Sequence, residues 1–231
     1  MITDERFSFV QGYPNGTFQP EGFITRAEIV AILFRLVDDD SKHLPVAGRF
    51  TDVIGGWYTQ YVNYLAIAGV IAGFPDGTFR PNDLMTRAEL TKLMSLFFSI
   101  SEGGSNFTDI QGHWAYRYIV SASNSGWITG YEDGTFRPDM AITRAEAVTI
   151  INRAIDRRPD PASVDELIEH PIFPDVPRNH WAYYQIKAAA IKHEYMIDEN
   201  GIEIWLHIYL PSPRLPHGIS VKSLSPKRYI K

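Results

Sequence analysis

Cysteine is absent from this 231-residue sequence, which excludes a disulfide framework and thiolate-bound zinc and leaves hydrophobic packing as the source of stability. Long apolar runs are absent too: none approaches the roughly 18 residues that cross a bilayer, so no membrane insertion is expected. The opening stretch, MITDERFSFV, lacks the charged-then-apolar pattern of an export signal, so an exported form is expected to have lost that signal or to carry it outside this sequence. Positive charge is short, with 22 Lys and Arg against 27 Asp and Glu, a net −5. Without a basic stripe, nucleic acid is not expected as a partner, and any anion must be met by individual arginines.

The signatures of common enzymes are missing as well. The seven histidines form no HExxH, no GxSxG elbow occurs, and no Gly-rich phosphate loop carries a lysine. No dense DxDxDG calcium loop is present. No catalytic residue, cofactor or metal is therefore expected. What remains is ample for a folded protein: 45% hydrophobic and 13% aromatic residues supply a substantial core for one or two domains.

That core is built from internal repeats. Three segments match closely: GYPNGTFQPEGFITRAE from Gly12, GFPDGTFRPNDLMTRAE from Gly73 and GYEDGTFRPDMAITRAE from Gly130. A second block recurs as FTDVIGGW from Phe50, FTDIQGHW from Phe107 and FPDVPRNHW from Phe173. The blocks are out of phase with the chain ends, because the Gly12 loop has no Trp block before it and the Phe173 block has no loop after it. Two readings stay open. In one, residues 50–97 and 107–155 form units two and three, and unit one combines 7–36 with 173–196, all within a domain spanning 1–209. In the other, the ends are unpaired half-repeats; against this, each would expose an apolar helix face.

Local chemistry gives each unit its elements. Pro75-Asp76-Gly77 carries turn residues, and Asp133-Gly134 and Asn15-Gly16 repeat them between short apolar flanks that can pair as minimal hairpins. Thr86-Arg87-Ala88-Glu89 is a capping box, matched at Thr25 and Thr143, so a helix starts three times. Behind each box the apolar residues keep one register: Ile29, Ile32, Leu33 and Leu36; Leu90, Leu93, Met94 and Phe97; Ala147, Ile150, Ile151 and Ala154. Trp57, Tyr61, Leu65 and Ala68, like Trp114, Tyr118, Ala122 and Ser125, fall on one helical stripe. Residues 38–49, 99–106 and 156–172 read as linkers, the last with a helical turn at Val164–Ile168. Residues 210–231 read as an irregular tail. The expected fold class is mostly α with short β-hairpins and three pseudo-equivalent units.

Taken in order, FxDV, HWA, GYxDGTFRP and ITRAE resemble surface-layer homology repeats across roughly residues 7–196. The resemblance implies a pseudo-threefold, three-pronged domain at the bacterial cell surface. It also implies grooves that bind a secondary cell-wall polysaccharide, commonly through a pyruvate ketal on N-acetylmannosamine. It further implies an extracellular, wall-bound module that is monomeric when isolated. A protein–protein assembly module of a surface layer, or the anchor fragment of a surface enzyme, are the alternatives.

The residues support part of this. Arg26, Arg87 and Arg144 occupy the first helical position, where the macrodipole disfavours a cation, so capping does not explain them. A guanidinium beside free helix amides suits a carboxylate, and the competing reading is that each arginine pairs with a nearby acid. If they are receptors, replacing them is expected to weaken binding with little change in melting. Trp57, Trp114 and Trp181 offer flat faces to a sugar ring, or else fill the core. Gly16, Gly77, Gly134, Asp76 and Asp133 are further candidates, the aspartates chiefly as turn formers. His113 and His180 are expected to be structural, since Gly56 stands at the same place in the remaining copy. Gln19 replaces Arg80 and Arg137, and Asn15 the turn aspartate, so the first loop, like unit two's Trp block with its Gly56, is expected to bind less well.

Overall fold

A computed structural model describes residues 3–37, 48–95 and 103–209. The linker expectations at 38–47 and 99–102, the core assignment of Phe97 and the tail at 210–231 lie outside them. Among the described residues the order is β1 (Asp4–Arg6), α1 (Arg26–Leu36), α2 (Thr59–Ile67), α3 (Arg87–Met94), α4 (Tyr116–Asn124), α5 (Arg144–Ala154), α6 (Pro161–Leu167), α7 (Tyr183–Ala190), β2 (Lys192–Ile197) and β3 (Glu203–Tyr209). The chain divides into two compact units, residues 21–151 and residues 1–20 with 152–231.

In the first unit the capping boxes form as expected. The Thr25, Thr86 and Thr143 hydroxyls accept the Glu28, Glu89 and Glu146 amides, and those carboxylates accept the threonine amides in return at 2.8–2.9 Å. The residues just ahead of the boxes close a triangle: Ile24 donates to Ile142, Ile142 to Met85 and Met85 to Ile24, at 2.9–3.1 Å. All three side chains are buried. Single β-bridges, Phe23 with Thr143, Thr25 with Leu84 and Thr86 with Ala141, frame the same axis.

The loops before these boxes are single turns. Phe74 donates to the Thr78 carbonyl and Gly77 to the Phe74 carbonyl, at 2.8 and 3.0 Å, without paired strands, so the expected hairpins shrink to one turn each. Gly77, at φ +81°, takes the left-handed conformation that a side chain resists. Arg80 and Arg137 adopt φ near 57° without being glycine. They are held there by the carboxylates of Asp52 and Asp109, each of which accepts two successive amides of its loop at 2.7–2.8 Å.

The helical stripes behind the tryptophans come out differently from the sequence expectation. Val62, Leu65 and Ala66 are buried, as are Ile119, Val120 and Ala122, whereas Trp57, Ala68, Trp114 and Ser125 are exposed. The reason is local: α2 and α4 begin two residues after the tryptophan, so the indole precedes the helix and leaves its phase. The α1 side chain Phe34 packs on Tyr61 and Tyr64 of α2, with ring centroids 4.7 and 5.4 Å apart.

The second unit reuses the loop clasp and adds elements of its own. Asp175 accepts the Phe18 and Gln19 amides at 2.9 and 2.6 Å, and the Phe18 ring lies 5.3 Å from that of Phe173. Phe9 and Val10 donate to the Ala189 carbonyl at the end of α7. The expected helical turn near Val164 is a full helix, α6, with Pro161 at its first position and Asp160 capping the Ser163 amide. It packs with Ala188, Ile191, Trp205 and Ile208 in one apolar cluster.

A three-stranded antiparallel sheet, ordered β1-β2-β3, completes this unit. It pairs Glu5 with Glu194 and His193 with Ile208, around a bulge at Glu194–Tyr195. At its centre lies a polar cluster with no counterpart in the repeats. His193 and Glu203, both 0% exposed, meet at 2.7 Å. Arg6 and the Trp205 indole also donate to Glu203, at 3.2 Å each, and Trp205 stacks on His193 with centroids 3.8 Å apart. Buried Arg157 bonds the carbonyls of Ala188 and Phe7, and burial pushes its guanidinium down to about 10.

Candidate functional site

The three sequence-singled arginines form a chain of cross-links. Arg26 reaches Glu89, Arg87 reaches Glu146 and Arg144 reaches Glu28, at 3.4, 2.9 and 3.2 Å. Each acceptor is the capping glutamate of another box, so the three pairs run head to tail around the triangle of backbone bonds. Arg26 and Arg87 also donate through Nε to the carbonyls of Phe79 and Phe136 at 2.9 and 2.8 Å. Their guanidinium carbons lie 4.6–5.0 Å from the ring centres of Phe74 and Phe79, and of Tyr131 and Phe136. Burial pulls the Arg26 guanidinium below its usual range, opposed by the charge of Glu89.

The amide half of the expected receptor is taken. Arg26, Arg87 and Arg144 donate their backbone amides to the carbonyls of Asp83, Met140 and Gly22, and Ala27 and Ala88 theirs to Pro81 and Pro138. A helix start whose amides already hold carbonyls offers an anion little beyond the guanidinium.

The tryptophans resolve toward the surface. Trp57, Trp114 and Trp181 are 60%, 53% and 59% exposed, which removes the core reading. Trp57 is flanked by Tyr58 and Tyr61, Trp114 by His113, and Trp181 stacks on His180. The cation over Trp114 is Lys92 of α3, with its amine 5.7 Å from the ring centre. The aromatic contacts of Arg26 and Arg87 are with the loop of the next repeat, not with a tryptophan.

The remaining candidates serve their turns. Asp76 and Asp133 accept the amides and hydroxyls of Thr78 and Thr135 and pair with Arg80 and Arg137. Those hydroxyls, then the arginines, hold both carboxyls down to about 2. Gly16 and Gly77 have open space where a Cβ would stand, and all three turn glycines have positive φ. His113 and His180 accept the amides of Ala115 and Ala182 through Nδ1 at 3.1 Å, fixing the turns just ahead of α4 and α7, while the His113 Nε2 faces Asp139. Sequence reasoning missed Asp52, Asp109 and Asp175 as loop clasps, although their recurrence in FTD, FTD and FPD was visible.

With this geometry in hand, comparison with known proteins identifies the repeat. S-layer homology domain matches cover residues 6–30, 49–91 and 106–148. The chain belongs to the S-layer homology domain family. It is 40% identical over 212 residues to a "Cellulosome-anchoring protein" of Acetivibrio thermocellus, covering 87% of this chain and 46% of that protein. It is 36% identical over 213 residues to "Cell surface glycoprotein 1" of the same organism, covering 86% of this chain and 9% of the relative. A third relative, "Exoglucanase XynX" of Acetivibrio thermocellus, is 31% identical over 159 residues, which are 64% of this chain and 14% of the relative. The chain thus spans about half, or far less, of the curated relatives it matches.

The S-layer homology domain is a non-catalytic module for cell-surface anchoring, and it places this chain at the cell wall. Some relatives that carry the module are named as enzymes. Among the described residues no helix is long and apolar enough to cross a membrane, and no cluster of three metal-ligating side chains occurs.

Proposed function

We propose that this S-layer homology domain holds its parent protein to the wall by binding an anionic, pyruvylated secondary cell-wall polysaccharide, without catalysis. The observation that carries the proposal is the trio of tryptophans, more than half exposed at one repeat position and each braced by a neighbouring ring. A module that exposes three equivalent indoles, while Phe18, Phe79 and Phe136 of the same repeats are buried, is presenting them to a partner. The sugar ring stacks on the indole, and the ketal carboxylate is met by the guanidinium of a box arginine.

Because the chain is net acidic, long-range fields oppose an anionic polymer and recognition is local. The measurement is titration of purified wall polymer before and after removal of its pyruvate. Binding that vanishes with the pyruvate, and that falls stepwise in Trp57→Ala, Trp114→Ala and Trp181→Ala with melting unchanged, is the expected result. Equal binding to depyruvylated polymer would overturn the ligand. Self-association in light scattering that is lost with the same tryptophans would turn the reading toward a surface-layer assembly contact.

We infer also that the terminal half-repeats, residues 7–36 and 173–196, act as one repeat. The Asp175 clasp on Phe18 and Gln19 supports this, since it reproduces the Asp52 and Asp109 clasps between residues 157 apart in sequence.

A further inference from the structure

Arg26 and Arg87, two of the box arginines, are not equally committed to the protein. Arg87 is held by Glu146 at 2.9 Å, and the Tyr131 hydroxyl donates to the same Oε1 at 2.9 Å. The other oxygen of Glu146 accepts the Thr143 amide and hydroxyl, so this carboxylate is fixed on both sides. The Arg87 Nη2 turns to the Thr129 carbonyl at 3.4 Å. At the equivalent place beside Arg26 the ring is Phe74, which has no hydroxyl. There the Oε1 of Glu89 meets Arg26 at 3.4 Å. Its side chain is 30% exposed, against 20% for Glu146, and that of Arg26 is 10% exposed, against 5% for Arg87.

Both rings otherwise do the same work. Each stacks under its receptor guanidinium at 4.9–5.0 Å and under the left-handed loop arginine, Arg80 or Arg137, at 3.9 Å. The phenolic oxygen is therefore the chemical difference at this position. A hydroxyl that fixes the competing glutamate raises the cost of turning the guanidinium from Glu146 to an outside carboxylate. Without it, the Glu89 Oε1 lacks that donor and yields Arg26 more readily, while its Oε2 stays on the Thr86 amide at 2.8 Å.

We propose that the aromatic residue of the loop, Phe74 or Tyr131, is a positioning residue that sets how available its receptor is to a carboxylate-bearing sugar, leaving the Arg26 receptor open and the Arg87 receptor latched. This rests on the reading of these arginines as carboxylate receptors. The expected consequence is that the Arg26 receptor fills first as ligand is added.

The test uses the whole chain, the methyl glycoside of pyruvate-ketalised N-acetylmannosamine as probe, and the Nε–H resonances of Arg26 and Arg87 as separate reporters of each receptor. Phe74→Tyr is expected to weaken binding at Arg26, and Tyr131→Phe to tighten it at Arg87, each about threefold to tenfold, the worth of one hydrogen bond. Opposite changes from reciprocal single-oxygen swaps, with both variants melting within a few degrees of the parent, are not produced by a merely structural role. Saturable shifts at both arginines that neither swap alters would overturn the latch and leave the receptor reading standing. Polymer binding with no shift at either arginine would overturn the receptor reading and the latch with it.

Discussion

In residues 21–151 the arginine and glutamate of the capping box recur in each copy, with every box arginine paired to the capping glutamate of another helix at 2.9–3.4 Å. In the terminal unit one cluster, apart from pairs such as Lys187 with Asp165, centres on a Glu203 that is 0% exposed and touched by His193, Arg6 and Trp205. The first arrangement keeps its acids partly in water, at 18–30% exposure, so each link is modest and the ring works through repetition. The second removes its acid from water altogether, so its stability hangs on complete pairing. A repeated sequence can afford many moderate contacts; a region present once concentrates them.

The largest expected effect breaks the second arrangement. Glu203→Ala leaves His193, Arg6 and Arg157 facing one another without their anion and should cost about 3–5 kcal/mol in urea unfolding. A loss below 1 kcal/mol would show that the cluster is not the anchor of this sheet.

Next comes the ring. Since Arg87 is 4% exposed and joins α3 to Phe136 and Glu146, Arg87→Ala should destabilise by about 1.5–3 kcal/mol. This revises the sequence expectation of unchanged melting, because the side chain cross-links the repeats whether or not a sugar is bound. Unchanged unfolding would restore that expectation.

Smaller and more local is the clasp. Asp175→Ala should cost about 1–3 kcal/mol and speed amide exchange at Phe18 and Gln19, while the amides of Phe79 and Arg80 keep their protection. Equal exchange in both loops would disprove the pairing of the terminal half-repeats.

The slightest effect is the acid arm. Burial raises the Glu203 carboxyl, but the hydrogen bond from His193 and the charges of His193, Arg6 and Arg157 outweigh it and leave the group below its ordinary value. A carboxyl lowered on folding contributes stability that is present above its unfolded value of about 4.3 and is lost as pH falls through the folded one. Stability should therefore decline below about pH 4.3, and Glu203→Gln should flatten that part of the curve. A curve of unchanged slope in the variant would assign the acid sensitivity to other groups.

How far the sequence speaks depends on how local the determinant is. The starts of α1, α3 and α5 were legible because a capping box is written within four residues and needs no distant partner. The histidines ahead of α4 and α7 were legible as structural because Gly56 stands in the same place in the remaining copy. Trp57 and Trp114 fall by spacing on one helical stripe, with the core and sugar-facing roles both open, because periodicity assumes that the helix already runs at the indole, and it does not. The β2–β3 hairpin was readable in principle from Asn200-Gly201 between β-branched and aromatic runs. The His193–Glu203 contact and the Arg–Glu ring were not, since nothing near either partner in sequence announces the other. Nor could sequence show that the helix amides beside Arg26 and Arg87 already hold carbonyls.

The triangle of bonds among Ile24, Met85 and Ile142 has one more consequence. Open repeat arrays such as solenoids grow by adding copies and need special caps at their ends. A cycle in which the third member donates back to the first has no growing end, so its copy number is set by closure rather than by the length of the gene. A fourth copy inserted between two existing ones would have to open the triangle, exposing Ile24 or Met85 along with the arginine and glutamate of its box. The fold thus resists the tandem duplication by which repeat proteins ordinarily lengthen, and additional binding capacity has to come from a second complete module on the same chain.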